Sequence, residues 1–258
     1  MSQREVFNMF WEGQPLTSVE ILCMRSFVNH GHSLTVFTYN GVQVPEGVAM
    51  EDARQVLPAD RYFTFEDSPS AFTNIFRYKL LLERGGWWVD TDVFCRKRQL
   101  WMCDYYWAEE IPGQINGAVL RFPPGDPLCW RLFRLSEERS KGPLVWGRLG
   151  PHLLKKVLSG KQPSGLAGST EDVYALHWDE AYYFWLPEFC DQVETRTRNS
   201  TFIHFWSSNL GRMRIDCRGL PPCGSFLHRL AGHDTPCSNG DLSMCRQNIQ
   251  RYLESLPK

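Results

Sequence analysis

The chain has no run of about 20 apolar residues, so no helix in it is expected to span a bilayer. It has no excess of either charge: 28 Lys and Arg stand against 29 Asp and Glu, a net charge of -1 with a pI near 6.7. That balance predicts neither a basic footprint for nucleic acid nor a polybasic patch for a membrane, and any recognition of phosphate must be local. No Gly-x-Gly-x-x-Gly is present, which disfavours a dinucleotide fold. Residues 1–5 lead straight into a strand-like segment and leave no room for a charged region, an apolar region and a cleavage site, so a cytoplasmic protein is expected. The nine cysteines include no Cys-x-x-Cys pair. Cys23, Cys95, Cys103, Cys129 and Cys190 sit among apolar residues and are expected to pack. Cys217, Cys223, Cys237 and Cys245 crowd the C-terminal region with His228 and His233, where thiols, or disulfides formed on oxidation, are favoured over structural zinc. There is no internal repeat.

What is there fits one α/β domain of ordinary size at 258 residues. Residues 6–11, 18–29 and 34–39 read strand, helix, strand, an opening that implies a mostly parallel sheet with ligands beyond its C-terminal strand ends. A short strand is expected around 61–65, strands at 105–109, 117–122 and 202–206, and helices at 127–140, 151–158 and 243–256, with a mobile loop at 160–169. Residues 1–216 form the main domain in this reading, and 217–258 a cysteine-containing extension, loosely attached but packed on it.

The most informative stretch runs from Asn74 to Val93. After Pro69, Ser70 is a candidate N-cap, and Phe72, Ile75, Phe76, Lys79, Leu80 and Glu83 follow at helical spacings. Gly85-Gly86 stops the helix, because a left-handed cap costs glycine little. Trp87-Trp88-Val89 favours a strand. If the chain stays extended, Asp90 and Asp92 project to the same side and converge on one hard cation, Mn2+ or Mg2+, which prefers oxygen ligands and keeps positions open for water and phosphate. Taken alone, Asp-x-Asp is a weak signal and reads first as a solvated turn after a strand.

Arg77-Tyr78 on the helix, Gly85-Gly86, the tryptophans and Asp90-Thr91-Asp92 occur in an order that resembles the sugar-nucleotide-binding segment of the DxD glycosyltransferases. This is the group with a capsular-polysaccharide and mannosyltransferase-like sugar-binding region, similar also to α-1,4-galactosyltransferases and the glucosylating clostridial toxins. Phe10-Trp11-Glu12-Gly13, the segment from Ile115 through Asn116 to Leu120, Gly150-Pro151 and His204-Phe205-Trp206 resemble further segments of the same family, so that most of residues 6–214 is covered. The resemblance implies a GT-A-like single domain with a Rossmann-like nucleotide-binding sheet flanked by helices. It also implies transfer of a sugar from a nucleotide-sugar, UDP-linked by default, to an acceptor hydroxyl with retention of anomeric configuration. A glycan, a lipid-linked sugar, a peptide and a small molecule all stay open as acceptors. Asn74 departs from the family, whose toxin-like members often carry Asp at that place, and this puts donor identity in question.

Each candidate has two readings. Phe10 and Trp11 stack on a base or belong to the core; Arg77 binds a diphosphate or sugar hydroxyl, or pairs with Glu83 or Asp67; Asn116 faces the transferred sugar or caps a turn. Tyr78, Gly150, Pro151, Ser208 and Arg212 complete the expected binding set, Arg212 on the β-phosphate. His204 is a core histidine or, with Asp90 and Asp92, a third metal ligand. The aromatic stretch from Tyr174 to Trp185 is an acceptor platform or core. Two rival functions stand: a non-catalytic nucleotide-sugar or glycan-binding relative, and a metal-dependent phosphohydrolase, which would need further carboxylates that the motif does not carry nearby.

Overall fold

A computed structural model of the chain describes residues 4–100, 103–161, 168–232 and 234–256. It is a mixed α/β fold whose six-stranded sheet runs β3-β2-β1-β4-β7-β6. The strands are β1 (Val6–Phe10), β2 (Ser33–Thr38), β3 (Ala49–Asp52), β4 (Gly86–Val89), β6 (Tyr106–Ile111) and β7 (Gln114–Phe122). A separate antiparallel pair joins β5 (Val93–Cys95) to β8 (Phe202–His204). β1 pairs in parallel with both β2 and β4, and β2 with β3, whereas the β6–β7 hairpin is antiparallel to its neighbours. The expected mostly parallel sheet flanked by helices is therefore present, with an antiparallel edge. β1 and β2 are buried along nearly their whole length, as strands covered on both faces must be.

Alternation along β4 divides the core between the two faces. Trp87 and Val89 point into one cluster with Phe7, Met9 and Val36; Trp88 points into the other with Phe10, Phe37 and Phe76. On the Trp88 face lie α2 (Ser70–Arg84), α3 (Pro127–Ser140) and α4 (Pro151–Leu158). On the Trp87 face lie α1 (Ser18–Asn29), the β5–β8 pair, α5 (Thr170–Val173), α6 (Cys190–Thr197) and α7 (Ser207–Arg212), followed by α8 (Phe226–Ala231) and α9 (Ser243–Glu254). Phe226, Leu227 and Ile249 belong to this second core, and Ser18 donates from both its backbone N–H and its hydroxyl to the Cys217 carbonyl. The segment after 216 is thus packed in, not loose.

Local chemistry explains the boundaries. α1 starts on a capping box in which Thr17 Oγ1 accepts from the Val19 N–H and Glu20 accepts from the Thr17 N–H at 2.8 Å. α2 starts directly after Pro69 with no side-chain cap, so Ser70 is its first residue and not its N-cap. It ends at Gly85, φ 65°, where an added Cβ would meet the Pro124 ring at 2.5 Å. The strand expected at 61–65 is absent: residues 59–61 form a tight 3-10 turn, and the edge strand β3 lies earlier. The 160–169 loop falls mostly outside the described residues. Cys223 and Cys237 form a disulfide, one of the two outcomes expected there; the five apolar-context cysteines are free and buried as expected, and Cys217 and Cys245 are free. His233 lies outside the described residues.

Candidate functional site

The chain leaves β1 toward β2 on one side and later returns to β4 on the other, so the C-terminal ends of β1 and β4 flank the point where strand order reverses, the usual place for a ligand crevice. Trp11 follows β1 and Asp90 follows β4. The Asp90-Thr91-Asp92 segment is not extended: it is a turn, closed by the Val93 N–H donating to the Asp90 carbonyl at 3.1 Å. The turn is needed because the chain must leave the main sheet and start β5, whose Val93 pairs with His204. The two carboxylates consequently take different partners.

Asp90 Oδ1 accepts from Arg77 Nη2 at 2.9 Å and from the Trp88 indole N–H at 2.8 Å. The Asp90 backbone N–H donates to the Ala118 carbonyl at 2.8 Å, which fixes the turn to β7. Arg77 is only 5% exposed; its guanidinium lies over the Trp88 ring at 5.1 Å, and Nη1 donates to the Gly117 carbonyl. A Cβ at Gly117 would collide with that guanidinium, so glycine there is what lets Arg77 reach Asp90. The expected contact of Arg77 with substrate gives way to an internal one, and neither Glu83 nor Asp67 pairs with it.

Asp92 faces the other way. Its Oδ1 lies 3.2 Å from His204 Nε2, and its Oδ2 accepts from the Ser207 N–H at 2.8 Å. Burial works to lower the His204 pKa, but the charge and hydrogen bond of Asp92, helped by Asp90 and Glu110, outweigh it and raise it above the ordinary imidazole value. The same pair holds Asp92 below the usual carboxylate value although burial alone would raise it. Nε2, the nitrogen that faces Asp92, is committed to that carboxylate. His204 is a carboxylate partner in this geometry, at the place where a third metal ligand beside Asp90 and Asp92 was expected. Its Nδ1, the Tyr174 hydroxyl and Arg77 Nε are buried without a hydrogen-bond partner, and the Tyr174 and His204 rings meet edge-on at 5.7 Å.

Asn116 donates from Nδ2 to Glu110 Oε2 at 2.5 Å, and its Oδ1 accepts from the Ala118 N–H at 2.8 Å, so the amide braces the hairpin next to Asp90. Glu110, 8% exposed and held also by Gln114, is a third carboxylate whose charge reaches both His204 and Tyr174. It was not among the residues expected from the sequence. The signal was the Pro112-Gly113 turn, which folds the residues before and after it into a hairpin.

Other expected members are elsewhere. Phe10 is enclosed by Tyr39, Tyr62, Phe72 and Phe76, and Tyr78 is fully buried with its hydroxyl donating to the Leu149 carbonyl at 3.1 Å. Both are core residues, because β1 and α2 turn those positions toward the same aromatic cluster. Trp11 stays partly exposed, its indole N–H on the Gln14 carbonyl at 2.7 Å. Asn74, whose amide donates to the Ser70 carbonyl, packs against Gly150, and Pro151 begins α4 there. Ser208 and Arg212 are exposed on α7, and neither side chain contacts an aspartate. Tyr174, Phe184 and Trp185 are buried, so much of the aromatic stretch is core.

Among the described residues no three His, Cys, Asp or Glu side chains are arranged to hold a metal. The donor chemistry fits a cation of the Mg2+ or Mn2+ type all the same, since such ions take one or two protein carboxylates and complete their shell with water and substrate phosphate. Among the described residues no group donates to Asp90 Oδ2, which leaves that oxygen available.

No family model and no curated protein matches the chain. Among solved structures it is similar to one described as PaToxG glycosyltransferase, at 12% identity and a TM-score of 0.46, over 97% of this chain and 84% of that one. It is also similar to a transferase mutant with two cysteine-to-serine substitutions, at 8% identity and a TM-score of 0.40, over 64% of this chain and 89% of that one.

Proposed function

We propose that the chain is a metal-dependent glycosyltransferase that moves a sugar from a nucleotide-sugar, UDP-linked by default, to an acceptor hydroxyl with retention of anomeric configuration. The observation that carries the reading is the pair Asp90 and Asp92 at the reversal point of the sheet, each carboxylate backed by a buried basic side chain, Arg77 in one case and His204 in the other. Two acidic groups so supported stay oriented while one face of Asp90 is left to solvent.

Cleavage between the anomeric carbon and a diphosphate builds positive charge on the sugar ring and negative charge on the departing phosphate. Asp90, through the oxygen that takes no hydrogen bond from a described residue, and Asp92 would hold a divalent cation, whose chemistry would be electrostatic stabilisation of those leaving oxygens. Arg77 and Trp88 fix the rotamer of Asp90, and Ser207 with His204 fixes that of Asp92, so little reorganisation is needed as charge develops. The acceptor hydroxyl can give its proton to the departing phosphate. Glu110, tied to Asn116 and Gln114, is not free to act as a nucleophile, which is compatible with same-face attack and hence with retention.

The test is an assay for free nucleoside diphosphate with and without acceptors. Release that depends on an acceptor and disappears in the variant Asp90→Asn with Asp92→Asn is expected. Release without any acceptor would favour a phosphohydrolase, and donor binding without release under any condition would favour a binding module.

A further inference from the structure

The balanced overall charge conceals a segregated one. Residues 127–161 hold eight Lys and Arg against two Glu, a net charge of +6 in a chain whose total is -1. This segment is α3, α4 and their connection, two helices packed against each other. Its inward side, Cys129, Leu132, Phe133, Leu153, Leu154 and Val157, is buried in the core. On the outward side Arg131, Arg134, Lys141, Lys155 and Lys156 are exposed, and none makes an ion pair with a described residue. Of the two glutamates, Glu137 is taken by Arg61 at 2.8 Å, which leaves Glu138 as the one anion in the segment free to offset five cations.

Exposed apolar groups sit among these charges. Trp130 precedes Arg131 on α3 and is 54% exposed; Val145 and Trp146, at the connection into α4, are 58% and 62% exposed. Three of the eight large apolar side chains that stand open to water among the described residues share this segment. A surface that only captured a soluble polyanion would need the cations alone. Exposed tryptophans set among lysines and arginines are suited to the boundary between headgroups and acyl chains, where the indole finds both an apolar and a wet side and the cations meet acidic headgroups.

We propose that the α3–α4 face docks the protein peripherally on an anionic lipid surface. The binding is interfacial, since no helix among the described residues is long and apolar enough to cross a membrane. The proposal does not depend on the catalytic reading, because none of these side chains contacts Asp90, Asp92, Arg77 or His204. Each cation is expected to add about fivefold to membrane partitioning at low ionic strength, an effect that fades as salt shortens the screening length.

The experiment is co-sedimentation of the full chain with vesicles of phosphatidylcholine and of phosphatidylcholine mixed with phosphatidylserine, across a salt series. Selective binding to the serine-containing vesicles is expected, with at least a tenfold loss at high salt. The quadruple variant Arg131→Gln, Arg134→Gln, Lys155→Gln, Lys156→Gln should lose about a hundredfold or more. The double variant Trp130→Ala, Trp146→Ala, which keeps every charge, should also bind measurably less. Both sets are exposed, so unchanged circular dichroism and melting are expected and would be checked. Equal binding to the two vesicle types would overturn the proposal. So would full binding by the tryptophan variant together with tight retention on heparin, the result expected if the face takes a soluble polyanion instead.

Discussion

Asp90 and Asp92 differ in what their loss removes. Asp90→Asn takes the counter-charge from a buried guanidinium, so it should cost about 1–3 kcal/mol of stability as well as donor binding, read as a shift in denaturant midpoint. For the Asp92–His204 pair the sign follows from the shifts. His204 is raised above its ordinary 6.5, so its share of stability is present below that pH and is lost as pH climbs through the raised value. Asp92 is lowered from 3.8, so its share is lost only as strong acid brings the pH down through its folded value. With metal removed by chelator, melting temperature should fall on the alkaline side in the native chain and fall less in His204→Gln; identical profiles would contradict the pairing. The identities of both aspartates and of Arg77 could be read from the sequence, since a helix, a glycine stop and a strand announce them. Their partners could not. Asp92 meets Ser207 across 115 positions, and which nitrogen of His204 faces it is decided by the β5–β8 pairing, a contact no local pattern encodes.

Among the elements, those with caps or prolines at their ends were legible to the residue. α3 begins with Pro127 after Asp126, whose carboxylate accepts from the Leu128 and Cys129 N–H groups, and α4 begins with Pro151 after Gly150. β3 was not legible, because Ala49–Asp52 is a mostly exposed edge strand with no alternation to read. Nor was the turn at Asp90, since the tryptophans before it and Val93 after it all favour extension. The stop at Gly85 is the element boundary with the sharpest consequence. Gly85→Ala combines a left-handed φ with a clash on Pro124, and should destabilise by about 2–3 kcal/mol in urea unfolding. A neutral result would mean that the α2–β4 junction, and with it the position of Asp90, is less constrained than described.

For the molecule as a whole, the two cores on either side of one sheet tie the C-terminal segment into the same unit as the site. The Cys223–Cys237 bond closes a loop across 14 positions within that segment, and its replacement by serines should cost about 2–4 kcal/mol, seen as a lower melting temperature. Composition gave a true global charge and a misleading local one: the +6 of residues 127–161 is invisible in the total and visible once α3 and α4 lie side by side. The central claim concerns Asp90 and Asp92, proposed to take a cation and the diphosphate of a donor. The most direct test is titration calorimetry of UDP, GDP and their sugar conjugates against the native chain and Asp92→Asn, with Mn2+ and with EDTA. Binding of one nucleotide that requires the metal and disappears in Asp92→Asn is the predicted result; no nucleotide binding, or binding indifferent to both chelation and the substitution, would contradict the account.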